Sequence, residues 1–184
     1  MLAQIGELLA GIVADFFVFL LLARFHFQWL RVPFRNQVGE FVIATTNWAV
    51  QPARRLVPAV AGLDLATLVC AWLVQAAGLG IVIALRGVGF APATLAALAA
   101  VDLLRYSLYI LIFAVIVQAA LSWVNPYSPF APVFDPLTRR FLRPFRRLLP
   151  PIANVDLAPL LLLVLLQILL IPVAYLRGFV AGMP

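Results

Sequence analysis

Two pairs of adjacent arginines carry chemistry suited to recognising another molecule. Each pair begins the pattern Arg-Arg-x-x-Pro-x-x-x-x-x-Asp, and the defining residues are Arg54, Arg55, Pro58 and Asp64, then Arg146, Arg147, Pro150 and Asp156. A guanidinium stays charged, and its planar fork matches phosphate and carboxylate oxygens. These arginines, with Arg139 and Arg143, are therefore predicted to meet lipid headgroups or a partner. They either set topology and anchor the chain to lipid, or form a docking surface for a partner or a specific anionic lipid.

The aspartate that closes each pattern has two predicted roles. Asp64 and Asp156 each stand directly before Leu-Ala and a long apolar run. A carboxylate in that position accepts hydrogen bonds from the first free amides of a helix. The alternative is a charge pair with the preceding arginines, which would hold the loop against the span. The two roles are compatible, and both remain open.

Four polar residues interrupt or border the apolar runs, and they are Asp15, Gln75, Arg105 and Gln167. Asp15 is a functional candidate, because an ionisable group inside a membrane span is costly. We predict an ion pair between Asp15 and Arg105 on another helix. Gln75 and Gln167 occupy equivalent places in an internal repeat, and both are predicted to hydrogen-bond between helices.

The residue types that enzymes use are scarce in this sequence. His26 is the single histidine and Cys70 the single cysteine, which excludes a two-histidine haem site and a Cys-His zinc site. The sequence has no glycine-rich phosphate loop, catalytic triad or paired carboxylates. We expect His26 to be a satisfied interface histidine and Cys70 a small core residue. The chain is therefore predicted not to be an enzyme and to hold no cofactor or metal.

Composition indicates which kind of protein must position these residues. Hydrophobic residues make up 65% of the chain and charged residues 11%, whereas soluble domains are about a quarter charged. Four apolar runs are close to the ~20 residues that a helix needs to cross a bilayer. They cover residues 8–30, 65–85, 106–124 and 157–176. The predicted fold class is an all-α membrane protein with four transmembrane helices.

The placement of the arginines predicts the orientation of the spans. All 13 basic residues are arginines, and nine of them lie in the two long loops against three on the opposite side. The positive-inside rule then places both long loops in the cytoplasm and both termini across the membrane. Lipid headgroups account for the net charge of +6, so nucleic acid is not expected as a partner. The alanine-rich part of the 86–102 connector is expected to lie along the membrane.

The two halves of the chain are related by an internal duplication. Residues 52–75 and 144–167 align without a gap at an offset of 92, and 12 of the 24 positions are identical. The predicted units are residues 1–85 and 103–184 on either side of the connector. Two spans per unit keep both copies in the same orientation. This predicts a parallel pseudo-twofold axis along the membrane normal.

The long loop of each unit is predicted to contain an amphipathic helix in the membrane interface. In residues 31–64 and 125–156, apolar and aromatic residues fall on one helical face and charged or polar residues on the other. Aromatic side chains with a polar edge favour the same interface. The predicted interface anchors are Trp29, Trp48 and Trp123.

Prolines mark the expected limits of these loop helices. Asp135 followed by Pro136 is predicted to begin the second helix, because aspartate caps a helix and proline fits its first turn. Pro52 and Pro144 are each predicted to break or kink a helix just before the arginine pair, because proline lacks the backbone donor.

Four segments of the chain together resemble the YggT family. They read FQWLRVPFRNQVGEF, PARRLVPAVAGLDLATL, SWVNPYSPFAPVFDPL and PFRRLLPPIANVDLAPL. The resemblance covers about residues 8–176, and the double occurrence of the arginine–aspartate pattern makes it specific. One departure is Gln37, where the family often has a proline after Asn36. The resemblance implies two repeats, four spans and a location in the bacterial cytoplasmic (inner) membrane.

The resemblance implies a small membrane protein that organises other components. Bacterial members are associated with tolerance of hyperosmotic shock and with potassium uptake, and relatives with cell division or, in plastids, covalent haem attachment. One hypothesis is a non-enzymatic membrane scaffold or assembly factor that binds anionic lipid headgroups and a protein partner or a second copy. The alternative is a small channel or transport accessory protein affecting potassium uptake under hyperosmotic stress. In that case Asp15, Gln75 and Gln167 would line a pathway in an oligomer.

Overall fold

Six helices make up the regular structure of the described chain. The computed structural model describes residues 2–59, 62–89, 91–125, 127–148 and 156–183. In chain order, the helices are α1 (Leu2–Trp29), α2 (Gln37–Leu56), α3 (Leu65–Leu85), α4 (Pro92–Val124), α5 (Ala131–Leu148) and α6 (Ala158–Ala181). By length and apolar composition, α1, α3, α4 and α6 are able to cross a membrane. The all-helical fold and the four spans of a multi-pass membrane protein are as predicted.

The third span is longer than expected and absorbs most of the connector. α4 has 33 residues and begins at Pro92, so residues 92–102 do not form a separate segment lying along the membrane. Proline suits the first turn, and the alanines and leucines that follow it favour a helix. The indole of Trp72 in α3 donates to the carbonyl of Ala96 at 2.9 Å, which holds this extension in place.

Both loop helices continue through the prolines that were expected to break or kink them, so neither proline breaks its helix. α2 runs about one further turn past Pro52, and α5 about one further turn past Pro144. α5 also begins at Ala131, ahead of the start expected at Asp135. Pro52 and Pro144 are exposed. Each proline lies about one turn before its helix ends, so the missing N–H removes a hydrogen bond only near the C-terminus of the helix.

Each predicted unit contains three helices that pack on one another. α1, α2 and α3 contact each other, as do α4, α5 and α6, and α4 joins the units by packing on α3 and α1. A pseudo-twofold axis would relate α1 to α4 and α3 to α6. The packing of α3 on α4 would then be matched by packing of α6 on α1. Packing of that extent between α1 and α6 is not found among the described helices. The internal contact pattern is shared, but the pseudo-twofold arrangement is not confirmed.

α1 and α3 approach each other closely at Gly78. A Cβ atom added at Gly78 would lie 2.4 Å from the Cβ atom of Ala14, so this packing requires glycine. Next to this contact, the side chains of Val18, Leu22 and Ala71 are fully buried. A second cluster of apolar side chains fills the space among α4, α5 and α6. These two cores hold the loop helices against the spans.

The two loop helices lie at the same end of the spans. At this end, which we call the loop end, the ring of Trp29 in α1 contacts Phe141 in α5, with centroids 6.3 Å apart. At the opposite end, which we call the terminal end, Glu7 of α1 forms an ion pair of 2.9 Å with Arg86, directly after α3. The basic loops therefore share one side of the protein.

Candidate functional site

The first arginine–aspartate pattern connects α2 to the start of α3. Arg54 donates to Asp64 Oδ2 from Nη2 at 2.5 Å and from Nε at 3.2 Å. Asp64 also accepts from the backbone N–H and the hydroxyl of Thr67, at 3.3 and 2.6 Å. Burial acts to raise the pKa of Asp64, but the hydrogen bonds from Arg54 and Thr67 outweigh it and lower the pKa. We call Arg54 and Asp64 the first clasp.

The second pattern makes the same connection between α5 and α6. Arg146 Nε donates to Asp156 Oδ2 at 2.7 Å, and Asp156 Oδ1 accepts from the backbone N–H of Ala158 at 3.0 Å. We call Arg146 and Asp156 the second clasp. In both clasps the aspartate combines the two predicted roles, since it bonds to helix amides and to an arginine. Of the two prolines in the pattern, Pro58 is exposed and Pro150 lies outside the described residues.

Gln28 of α1 supports the first clasp, although sequence reasoning did not select it as a site residue. Its amide oxygen faces Arg54 Nη2 at 2.6 Å and its amide nitrogen faces Asp64 Oδ2 at 2.7 Å, in the orientation that satisfies both groups. Gln28 therefore bridges the ion pair. The only sequence signal was a polar residue next to Trp29, near the end of an apolar run.

Arg24 joins α1 to α2 and was also missed. It is 4% exposed, and its Nη1 donates to Thr46 Oγ1 at 2.8 Å and to Asn47 Oδ1 at 2.9 Å. A guanidinium at this depth is costly unless polar groups surround it. Arg24 therefore holds the middle of α2 against the first span.

The second arginine of each pair is exposed. Arg55 and Arg147, with Arg143 of α5, make no ion pair within the described part of the chain. We call Arg55, Arg143 and Arg147 the outer arginines. Arg139 is also exposed but pairs with Asp135 one turn earlier. The residues of α5 that are buried lie on its other face, and they are Val133, Leu137, Thr138 and Leu142.

The three predicted anchor tryptophans lie at or near the loop end. Trp29 ends α1, Trp123 is in the last turn of α4, and Trp48 is in α2. All three are exposed, Trp48 to 66%. The guanidinium of Arg140 lies over the Trp29 ring, 5.6 Å from its centroid, and this cation–π contact links α5 to α1. Their placement is compatible with an interface belt, which stays a prediction.

A second polar cluster lies among the spans. Asp102 of α4 is 1% exposed, and it accepts from Arg177 Nε of α6 at 2.7 Å and from Gln75 Nε2 of α3 at 3.1 Å. Arg105 Nη2 lies 3.6 Å from the same carboxylate. A buried carboxylate is tolerated only with such partners. The cluster therefore ties three spans together. Sequence reasoning missed it because Asp102 and Arg177 are 75 residues apart.

Asp15 has a different partner from the one predicted. Its Oδ1 accepts from the hydroxyl of Tyr106 at 2.7 Å. The predicted Asp15–Arg105 ion pair is wrong, because Arg105 faces Asp102 and lies over the rings of Tyr106 and Tyr109, at 5.3 and 6.0 Å. Neighbouring residues on a helix differ by about 100° in direction. It is Tyr106, one residue further on, that reaches α1.

The two equivalent glutamines have different surroundings. Gln75 makes the predicted interhelical hydrogen bond, to Asp102. Gln167 is exposed on α6 and makes no hydrogen bond with the described part of the chain. The prediction is therefore wrong for Gln167 within a single chain, because the face of α6 that packs inward carries Leu162 and Leu166 instead.

The described residues offer no metal site of the usual kind. No group of three or more His, Cys, Asp or Glu side chains in this part of the chain is placed to hold a metal ion. The His26 ring Nδ1 lies 2.7 Å from the Leu22 carbonyl oxygen, and Cys70 is buried in the core of the first unit. Asp15, Asp64 and Asp102 each accept a hydrogen bond from a side chain of another helix.

Comparisons with known proteins agree with the duplicated motifs. The family model described as CCB3/YggT matches residues 3–85 and 97–176. The uncharacterized protein YggT of Escherichia coli (strain K12) is 32% identical over 168 residues, covering 90% of this chain and 87% of its own length. The uncharacterized protein PA0392 of Pseudomonas aeruginosa is 30% identical over 176 residues, covering 94% and 89%. No solved structure matches the chain. Because these matches extend over nearly the whole sequence, the chain belongs to the CCB3/YggT family.

Proposed function

We propose that this protein is a non-enzymatic scaffold or assembly factor of the bacterial inner membrane, whose loop end docks anionic lipid headgroups and a protein partner. The observation that carries the proposal is the different role of the two arginines in each pair. Arg54 and Arg146 are paired with the clasp aspartates, whereas Arg55 and Arg147 are exposed and make no ion pair within the described part of the chain. If the arginine pairs only set the topology of the spans, the first arginine of each pair would not need an ion pair with the aspartate that precedes the next span.

The clasps support a rigid basic surface at the loop end. On α5, Arg139, Arg143 and Arg147 follow at intervals of four residues and share one face. The opposite face of α5 is packed against the protein, so these guanidinium groups are held outward. Each basic side chain near an anionic membrane surface contributes about 1 kcal/mol. Guanidinium groups also bind phosphate oxygens in a bidentate manner, which adds specificity to this attraction.

The direct test replaces the outer arginines together with glutamine (Arg55→Gln, Arg143→Gln and Arg147→Gln). The matched control is Arg86→Gln, at the terminal end. Both proteins are purified in nanodiscs that contain phosphatidylglycerol, and both genes are returned to a deletion strain grown under hyperosmotic stress. We expect the triple variant to insert normally but to lose bound anionic lipid and complementation, while the control keeps both. Full lipid binding and full complementation by the triple variant would reject the proposal.

The proposal also places the loop end in the cytoplasm. Its support is the excess of arginines in the two long loops, nine against three on the other side. Alkaline phosphatase and green fluorescent protein are each fused after Pro184 to test this. An active phosphatase and a dark fluorescent protein are expected, because the C-terminus then lies outside the cytoplasm. The reverse result would show that the loop end faces away from the cytoplasm.

A groove between α1 and α3 favours a second candidate, a channel or transport accessory protein affecting potassium uptake under hyperosmotic stress. The groove has a volume of about 440 Å³, and its lining includes Glu7, Asp15 and Arg86. A carboxylate in a groove attracts cations. Further along α1, however, Val18 and Leu22 are fully buried in the apolar core. A polar path across the membrane would therefore need an oligomer.

Potassium flux through purified protein in sealed liposomes separates the two candidates. The channel candidate predicts flux under an osmotic gradient that is lost in Asp15→Asn and retained in Glu40→Gln, which changes an exposed carboxylate of α2 outside the groove. Wild-type protein that is correctly inserted but conducts nothing would eliminate the channel and leave the scaffold.

A further inference from the structure

An exposed stripe runs along α6 with the spacing of a helix–helix seam. Its members alternate at intervals of four and three residues, and they are Leu160, Val164, Gln167, Ile171, Ala174 and Gly178. This heptad spacing keeps one face of a helix in line with a partner in a left-handed supercoil, the geometry of most transmembrane bundles. We call these residues the α6 stripe. No other described helix covers it, since all six members are exposed.

Gln167 is the feature of the α6 stripe that lipid alone does not explain. It lies within α6, at ~1.5 Å per residue about 14 Å from one end and 21 Å from the other. Its carboxamide is therefore too deep to reach either membrane surface, and a polar group without a partner in hydrocarbon is costly. Gln75, at the equivalent repeat position, finds its partner on a neighbouring helix. The exposed amide indicates that α6 also has a neighbour.

We propose that two copies of this protein associate through the α6 stripe, with the two Gln167 amides hydrogen-bonded to each other. A carboxamide is both donor and acceptor, so two copies of it are complementary. All copies enter the membrane in one orientation, and a twofold axis along the membrane normal then brings identical residues together at the same depth. A single polar residue in such a seam also sets its register.

The small residues at one end of the stripe fit the same dimer. Ala174 and Gly178 are one turn apart, and small residues at this spacing let two helix backbones approach closely. A Cβ atom added at Gly178 would meet nothing within 4 Å, so the fold of the single chain does not require glycine there. The neighbouring Arg177 is bonded to Asp102 of its own chain. Its guanidinium therefore already has a carboxylate partner within each copy.

Disulfide crosslinking in liposomes of purified protein tests the interface. In a Cys70→Ala background, single cysteines are placed on the stripe (Val164→Cys and Ile171→Cys) and on another exposed face of α6 at similar depth (Leu165→Cys and Leu169→Cys). We expect covalent dimers for the stripe positions and few for the controls. Equal crosslinking of both faces, or none at the stripe, would overturn the proposal. Because the liposomes contain only the purified protein, no other membrane protein can cover the α6 stripe in this experiment.

Energy transfer between labelled copies, at several protein-to-lipid ratios, tests the role of the amide. We expect Gln167→Leu to lower the association constant about threefold to tenfold, as for other interhelical side-chain hydrogen bonds, and Gln167→Asn to recover part of the loss. Gly178→Leu should prevent association without changing helix content or the melting temperature. Unchanged association in both Gln167→Leu and Gly178→Leu would refute this dimer, even if crosslinks formed.

Discussion

The two clasps join the same residue types at the same spacing in the sequence, but their surroundings differ. In each, an arginine near the end of a loop helix meets an aspartate ten residues later. The Asp64 side chain is 8% exposed, however, and that of Asp156 is 24% exposed. At the repeat offset, Thr67, whose hydroxyl bonds to Asp64, is replaced by Pro159. The second aspartate therefore lacks one of the donors that hold the first.

Only the first clasp also receives support from the first span of its unit. Gln28 bridges Arg54 and Asp64. When Trp29 is aligned with Trp123, two residues away from the offset of 92, the residue that corresponds to Gln28 in the second unit is the short and exposed Ser122. The difference teaches that the local motif is sufficient to form the ion pair in both units. Its burial, and hence its contribution to stability, depends on the neighbouring span. We therefore expect α5 to be less firmly held than α2.

Replacing the clasp aspartates should cause the largest losses in the free energy of unfolding, and these losses should differ most between the two units. Asp64→Ala deletes a helix cap and leaves Arg54 and Thr67 without their acceptor, so we expect a loss of about 3 kcal/mol in the free energy of unfolding. Asp156→Ala should cost about 1 kcal/mol, because the Asp156 side chain is itself partly exposed and water replaces its contacts. Steric-trap unfolding in bicelles measures both values. Equal losses would show that the surroundings of the clasps do not matter.

Truncating the residues that flank the clasps isolates the contribution of the first span. Gln28→Ala removes a bridge to two charged groups and should cost about 1.5 kcal/mol. Ser122→Ala, the matched change in the second unit, should be close to neutral because the side chain is exposed. The same unfolding measurement applies to both. A neutral Gln28→Ala would mean that the bridge does not contribute to stability.

Exchanging the hydroxyl donor between the units should reduce the difference in stability between the two clasps, because it weakens the first clasp and strengthens the second. Thr67→Val removes the hydroxyl donor to Asp64 at similar volume and should destabilise the protein by about 1 kcal/mol. Pro159→Thr supplies such a donor to Asp156 and should stabilise the second clasp by about 0.5 kcal/mol. Melting temperatures in detergent should move in opposite directions for the two variants. A shift of both melting temperatures in the same direction would show that the hydroxyl donor does not account for the difference between the clasps.

The acid dependence of stability should show the smallest effect. Because the folded state lowers the pKa of Asp64, the first clasp stabilises the fold above the unfolded pKa of about 3.9, and this contribution is lost as the pH falls through the lowered pKa. Unfolding free energies between pH 7 and pH 3 should therefore decrease less steeply in Asp64→Asn than in the wild type. Parallel curves for the two proteins would argue against an ionised Asp64 as the source of this stability.

Local composition and spacing were sufficient to predict the spans, the duplication and the possible pairing of each arginine with its aspartate. The predicted span 65–85 coincides with α3, because a long apolar run is a local property that the bilayer requires. The loop helices also followed from local periodicity. Their limits did not, since Pro52 and Pro144 lie inside helices that continue for about one further turn.

Tertiary packing alone decided which polar residues meet across the spans. Asp15 and Tyr106 are 91 residues apart, and no local pattern indicates that Tyr106 rather than Arg105 faces α1. Gln75 and Gln167 occupy equivalent positions in the repeat, yet only Gln75 is buried against another helix. Hydropathy and local spacing indicate that a segment is a helix. The direction in which each of its side chains points is determined by how that helix is rotated against its neighbours, and this depends on contacts that are remote in the chain.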